Sequence, residues 1–219
     1  MQDPKPNLSS SVAITAPRAE LKMGVFEHWP NRITALRFVG ALLLFALLAV
    51  KGEEAAAEPG SLFMAIAFWL FIVTCLSDWL DGYLARSQNV VTAFGRIADP
   101  FTDKVLVLGT MIFLATMDWS RHLMPAWIVV VILAREFLIT GIRGYIESVG
   151  KPFPADRFGK LKMVLQCLAL GAALGWKAFE WGSLADSIEL FARVTVWLTL
   201  VATVGSGLTY VAKTTKLLT

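Results

Sequence analysis

Apolar runs long enough to compete for a bilayer recur along this chain, and they restrict its fold more than any other feature. They cover residues 33–50 (interrupted by Arg37 alone), 61–77, 105–117, 123–134, 161–176 and 188–212. Hydrophobic residues make up 56% of the 219 positions, and the mean hydropathy is +0.62. The hydrocarbon core of a membrane is spanned by about 20 helical residues. A backbone in lipid must satisfy its own hydrogen bonds, which leaves helices as the natural solution for such runs. The predicted fold class is therefore an all-α integral membrane protein, a six-transmembrane-helix bundle. A water-soluble helical domain would have too little interior for this much apolar surface.

The runs at 105–117 and 123–134 are short, and charges continue each of them: Asp99, Asp103 and Lys104 before the first, Arg135, Glu136 and Arg143 after the second. Ionisable groups at membrane depth are costly unless they face a cavity. These halves are thus expected to line a polar chamber. With an even number of spans, both termini fall on one side. Placing them in the cytoplasm leaves only Lys51, Arg121, Lys177 and Arg193 of the 20 Lys and Arg on the other face, as the positive-inside rule requires. The chamber then opens to the cytoplasm, in the cell (inner) membrane.

Residues 1–17 are polar and carry three prolines (Pro4, Pro6, Pro17), which predicts a flexible tail. Residues 1–30 lack the apolar core of a signal peptide. Residues 18–29 set Leu21, Val25, Phe26 and Trp29 against Arg18, Lys22 and Glu27, a pattern suited to an amphipathic helix on the membrane surface or packed against the bundle. The membrane domain proper is 30–219. Asn31 is expected to cap its first helix. A net charge of +3 is too small to imply nucleic acid. Cys75 and Cys167 fall in apolar runs and read as inert thiols without a disulfide. Gly171 and Gly175 form a small-xxx-small pair, expected to serve close packing inside the bundle. Trp29, Trp119, Trp127, Trp176 and Trp181 fall near the expected interfaces.

The chemistry concentrates in residues 78–103, where the skeleton D-x2-D-G-x2-A-R-x8-G-x3-D-x3-D is carried by Asp78, Asp81, Gly82, Ala85, Arg86, Gly95, Asp99 and Asp103. On a helix, Asp78, Asp81, Gly82 and Ala85 share one face, and Gly95, Asp99 and Asp103 share another. Two such stripes meeting would gather four carboxylates, which repel unless cations lie between them. Hard oxygen donors suit Mg²⁺, Mn²⁺ or Ca²⁺. A pair of such ions is the usual device for displacement at phosphorus. Gly82 and Ala85 leave their face bare for a nucleotide, and Arg86 can grip a phosphate with two nitrogens. Isolated helix-end acids are more often merely solvated, but here eight positions act as a set.

This skeleton resembles, position for position, that of the CDP-alcohol phosphotransferases, membrane enzymes that join a CDP-activated donor to an alcohol and release CMP. The resemblance implies two divalent metal ions (Mg²⁺ or Mn²⁺) on Asp78, Asp81, Asp99 and Asp103, with Asp103 as the base. It places Asp81, Gly82, Ala85, Arg86 and Gly95 at the nucleotide and diphosphate. It also implies a homodimer.

A second set is basic: Arg135 and Arg143 eight residues apart, and Lys160 and Lys162 at a helix start where the dipole favours anions. It suits a phosphate dianion; headgroup-facing topological charge is the plainer alternative. The pattern RE-x6-R…GK-x-K and the opening P-N-x2-T-x2-R (Pro30, Asn31, Thr34, Arg37) resemble the phosphatidylglycerophosphate synthase branch. There the donor is CDP-diacylglycerol and the acceptor glycerol 3-phosphate. The resemblance implies acceptor-phosphate contacts from Arg135, Arg143, Lys160 and Lys162, and a nucleotide site lined by Asn31 and Thr34. Met163 follows Lys162 where the branch often has Thr. Serine, inositol phosphate or phosphatidylglycerol as acceptor would need the same core. A cation transporter using its acids as an ion path is the reading from another class.

Overall fold

A computed structural model describes the backbone of residues 29–88, 93–150 and 157–218, with side chains described for 31–77, 101–146, 148–150 and 161–215. The proposed surface helix at 18–29 and the tail at 1–17 lie outside the described residues, Trp29 excepted.

Six helices follow in order: α1 (Trp29–Ala56), α2 (Leu62–Gln88), α3 (Ala93–Thr116), α4 (Ala126–Ser148), α5 (Arg157–Ala178) and α6 (Ala185–Leu218), with a short 3₁₀ turn at Gly182–Leu184 before the last. Helix α1 starts at Trp29, so Asn31 sits inside its first turn with its side chain buried, rather than at the cap. Pro30 fits there because first-turn N–H groups have no intrahelical partner. The 28 residues of α1 extend about 42 Å at 1.5 Å per residue. Three helical segments are long and apolar enough to cross a membrane: Asn31–Ala56, Leu161–Ala178 and Gly182–Thr215; Leu62–Ser77 is a shorter apolar run.

The helices close into a ring in the order α1, α2, α5, α6, α4, α3 and back to α1, with α3 also reaching α5 across the middle. The interior is apolar and tightly filled by Leu44, Leu48, Phe71, Met111, Leu114, Ile128, Ile132 and Leu170. The outward face is equally apolar: Leu36, Leu43, Val73, Val130, Phe137, Val201 and Leu208 are all more than half exposed. A contiguous apolar exterior of this kind is stable in lipid and not in water.

Small residues set the close approaches. A Cβ on Gly175 would fall 3.1 Å from Phe68, and one on Gly171 3.4 Å from Ile72, so both glycines of that pair seat α2 on α5 within the bundle. Gly109 lies under the Phe45 ring, which stacks on Phe113 at 5.5 Å and joins α1 to α3. Cys75 and Cys167 touch, Sγ to Sγ at 2.8 Å, where α2 meets α5.

The two ends of the bundle differ in chemistry. At one end, Trp119, His122 and Trp176 form a ring cluster, and the Trp181 indole donates to the Gly175 carbonyl at 2.9 Å. Asp103 lies near the middle of α3, about 20 Å from the Thr116 end of that helix at 1.5 Å per residue.

Candidate functional site

The polar end is assembled from every helix of the ring except that the side chains of α2 there are not described. Asn31, Thr34 and Arg37 recur every three residues along the first turns of α1, share one face, and are all buried. Arg37 is 1% exposed and its Nη1 donates to Asp103 Oδ1 on α3 at 2.7 Å. The sequence had placed Arg37 only within a motif. Its pairing partner was hidden because 66 residues separate the two.

Next to Asp103, the Lys104 ammonium donates to the Thr140 hydroxyl on α4. One turn earlier on α4, Glu136 is buried, and its Oε1 accepts from two cations: Arg135 Nη1 at 2.9 Å and Lys162 Nζ on α5. Arg135 uses its other terminal nitrogen on the Ser206 hydroxyl of α6 at 2.9 Å, and its guanidinium lies 5.7 Å from the Tyr210 ring centre. Its stem crosses Gly207, where a Cβ would sit 3.1 Å from Arg135 Cγ. Arg143 donates to the Tyr210 hydroxyl at 3.3 Å. Glu136 therefore joins α4 to α5, and Arg135 extends the same network to α6. Two buried cations sharing one carboxylate are compensated, whereas either alone would be costly.

A cavity of about 190 Å³ opens among these groups, lined by Asp103, Lys104, Glu136, Lys162, Met163 and Gln166, together with Val107 and Leu108. It has room for several waters, or one small polar molecule. Its lining combines the carboxylates of Asp103 and Glu136 with the ammonium groups of Lys104 and Lys162, a set of groups able to hold an anion beside a base.

The sequence-predicted residues divide as follows. Asp103 and Lys162 meet in this cavity. Arg135 and Arg143 lie behind it, directed to Glu136, Ser206 and Tyr210. Asn31 and Thr34 face the bundle interior from α1. Asp78, Asp81, Gly82, Ala85 and Arg86 fall on the last turns of α2, Gly95 and Asp99 on the first turns of α3, and Lys160 on the first turn of α5. Their side chains lie outside the described residues. Among the described residues no three His, Cys, Asp or Glu side chains gather as a metal site. The donor chemistry still fits a hard cation: α2 touches α3, helical register puts Asp99 one turn before Asp103, and the four carboxylates belong to the last turns of α2 and the first half of α3.

Glu136, Lys104 and Gln166 are the site residues that sequence reasoning did not assign. Glu136 was visible beside Arg135, and a lone acid among four cations is itself a signal of pairing. Gln166 was legible as the residue one turn after Lys162 on the same face of α5.

Residues 27–205 match the CDP-alcohol phosphatidyltransferase family. A Bacillus subtilis protein named CDP-diacylglycerol–glycerol-3-phosphate 3-phosphatidyltransferase is 35% identical over 84% of this chain and 93% of its own length. A Rickettsia prowazekii protein of the same name is 32% identical over 86% and 96%. A Mycobacterium tuberculosis protein named as a phosphatidylglycerophosphate synthase is 32% identical over 84% and 79%. With the match running through the α1 motif, the aspartate skeleton and the basic network alike, the chain belongs to the CDP-alcohol phosphatidyltransferase family.

Proposed function

We infer that this enzyme transfers the phosphatidyl group of CDP-diacylglycerol to glycerol 3-phosphate, giving phosphatidylglycerophosphate and CMP. The observation that carries the acceptor side is the cavity that Asp103, Lys104 and Lys162 line together. It offers a base for a hydroxyl and cations for a phosphate within one small molecule's reach.

In the reaction, the acceptor hydroxyl oxygen attacks the phosphorus that bears the diacylglycerol. The bond from that phosphorus to the CMP oxygen breaks, and CMP leaves. Asp103 accepts the hydroxyl proton, held in place by Arg37. Lys162, steadied by Glu136, binds the acceptor phosphate together with Lys160. Arg135 and Arg143 add positive potential from behind the cavity. Asn31, Thr34, Gly82, Ala85 and Gly95 line the nucleotide pocket, and Arg86 holds a diphosphate oxygen. Asp78, Asp81, Asp99 and Asp103 would hold two divalent ions (Mg²⁺ or Mn²⁺), whose chemistry is neutralisation of charge on the attacked phosphorus and on the departing phosphate.

The acyl chains stay in lipid along the apolar exterior while the diphosphate enters between helices. In this reading all six helices span the membrane, with the Asp103 end and both termini on the cytoplasmic side. The tail at 1–17 and an amphipathic helix at 18–29 precede the membrane domain, and two copies pair as a homodimer.

Purified protein in lipid nanodiscs, given CDP-diacylglycerol and a panel of glycerol 3-phosphate, serine, inositol phosphate and phosphatidylglycerol, tests the reading. CMP release with glycerol 3-phosphate alone is expected. Release with a different acceptor only, or metal-dependent ion flux without CMP, would overturn it.

A further inference from the structure

Gln166 lies one turn beyond Lys162 on the same face of α5 and lines the cavity that holds Asp103. It is 4% exposed, and its amide nitrogen is buried with no hydrogen-bond partner among the described residues. A buried amide without a partner is destabilising, and apolar side chains would fill this part of a lipid-embedded helix without that cost. The same cavity is lined by Val107, Leu108 and Met163, which offer nothing to bond, and by Glu136 and Lys162, which bond each other. Such a group is satisfied when something polar occupies the space beside it.

We propose that Gln166 is a specificity residue that hydrogen-bonds the middle-carbon hydroxyl of the acceptor. This deepens the reading above and rests on it. Glycerol 3-phosphate carries three recognisable groups: a phosphate, a terminal hydroxyl that attacks, and a hydroxyl on the carbon between. Lys162 takes the phosphate and Asp103 the terminal hydroxyl. Gln166 stands on the same helix face as Lys162, within the cavity that Asp103 borders. The remaining hydroxyl can give to or receive from a carboxamide in either orientation. The enzyme thereby distinguishes a polyol phosphate from a simple alkanol phosphate of the same length. A site that leaves a buried polar group unpaired with the wrong substrate rejects that substrate.

The experiment compares glycerol 3-phosphate with 3-hydroxypropyl phosphate, which keeps the phosphate and the terminal hydroxyl and lacks the middle one. Unaltered protein should favour glycerol 3-phosphate by about tenfold or more in kcat/KM. In Gln166→Met the preference should shrink to within about twofold, with the KM for CDP-diacylglycerol unchanged. Gln166→Leu, a second apolar replacement suited to a lipid-embedded helix, should behave alike. An undiminished preference in both variants overturns the proposal, as does an unaltered protein that accepts the two acceptors equally. Failure of unaltered protein to use glycerol 3-phosphate at all would instead sink the parent reading, and it is scored first so that the two failures stay separate.

Discussion

Arg37 Nη1 and Asp103 Oδ1 stand 2.7 Å apart, joining the first turns of α1 to α3 at the mouth of the cavity. The arginine is almost fully buried and the carboxylate about one quarter exposed. The pair fixes where the carboxylate points, and it ties a helix that carries Asn31 and Thr34 to one that carries Asp99 and Asp103. Arg37→Gln should therefore lower kcat by about 100-fold, since small misplacements of a base are that costly, while leaving both KM values within about threefold. Steady-state CMP release in nanodiscs reads this directly. A variant with full kcat would separate Arg37 from the chemistry.

Glu136 shares one oxygen between Arg135 and Lys162. Removing its charge leaves two buried cations with nothing between them. Glu136→Gln is expected to raise the KM for glycerol 3-phosphate by about 10- to 100-fold and to leave that for CDP-diacylglycerol unchanged. Thermal unfolding in detergent should show a destabilisation of about 3 kcal/mol. Combining it with Lys162→Ala should add little to the KM effect, because both changes remove the same ordered cation.

The aspartates are expected to fail as a group. Asp99→Asn and Asp103→Asn should each abolish CMP release without loss of the folded state, judged by gel filtration. Stripping divalent ions with a chelator should do the same to unaltered protein, and adding back Mg²⁺ or Mn²⁺ should restore it. Substantial turnover in the chelated enzyme would remove the metal ions from the mechanism.

Cys75 and Cys167 are both thiols, as expected, and their sulfurs are in contact across α2 and α5. Diamide, a two-electron oxidant, should convert the two thiols into one intramolecular disulfide; its azo group takes up the two electrons and two protons. A maleimide–polyethylene glycol gel shift should then count no reactive cysteine after oxidation and two after reduction. Cys75→Ser should retain one under both conditions. Two reactive thiols after diamide would show that α2 and α5 do not meet as described.

The sequence alone pointed to lipid as the surroundings and to the six apolar helices seen among the described residues. Apolar runs of this length leave a backbone in lipid little choice but to form helices, because each helix satisfies its own hydrogen bonds. It also determined the candidate chemistry, since four aspartates at helical spacing are legible without coordinates. Local spacing could not reveal partners on different helices. Arg37 finds Asp103, and Glu136 collects Lys162, only when α1 meets α3 and α4 meets α5. The same packing directed Arg135 and Arg143 towards Ser206 and Tyr210, and left Gln166 beside a polar cavity. Those outcomes depend on which helix faces touch. Faces are chosen by side-chain fit, including glycines such as Gly109, Gly175 and Gly207, and no periodicity along one strand of sequence encodes it.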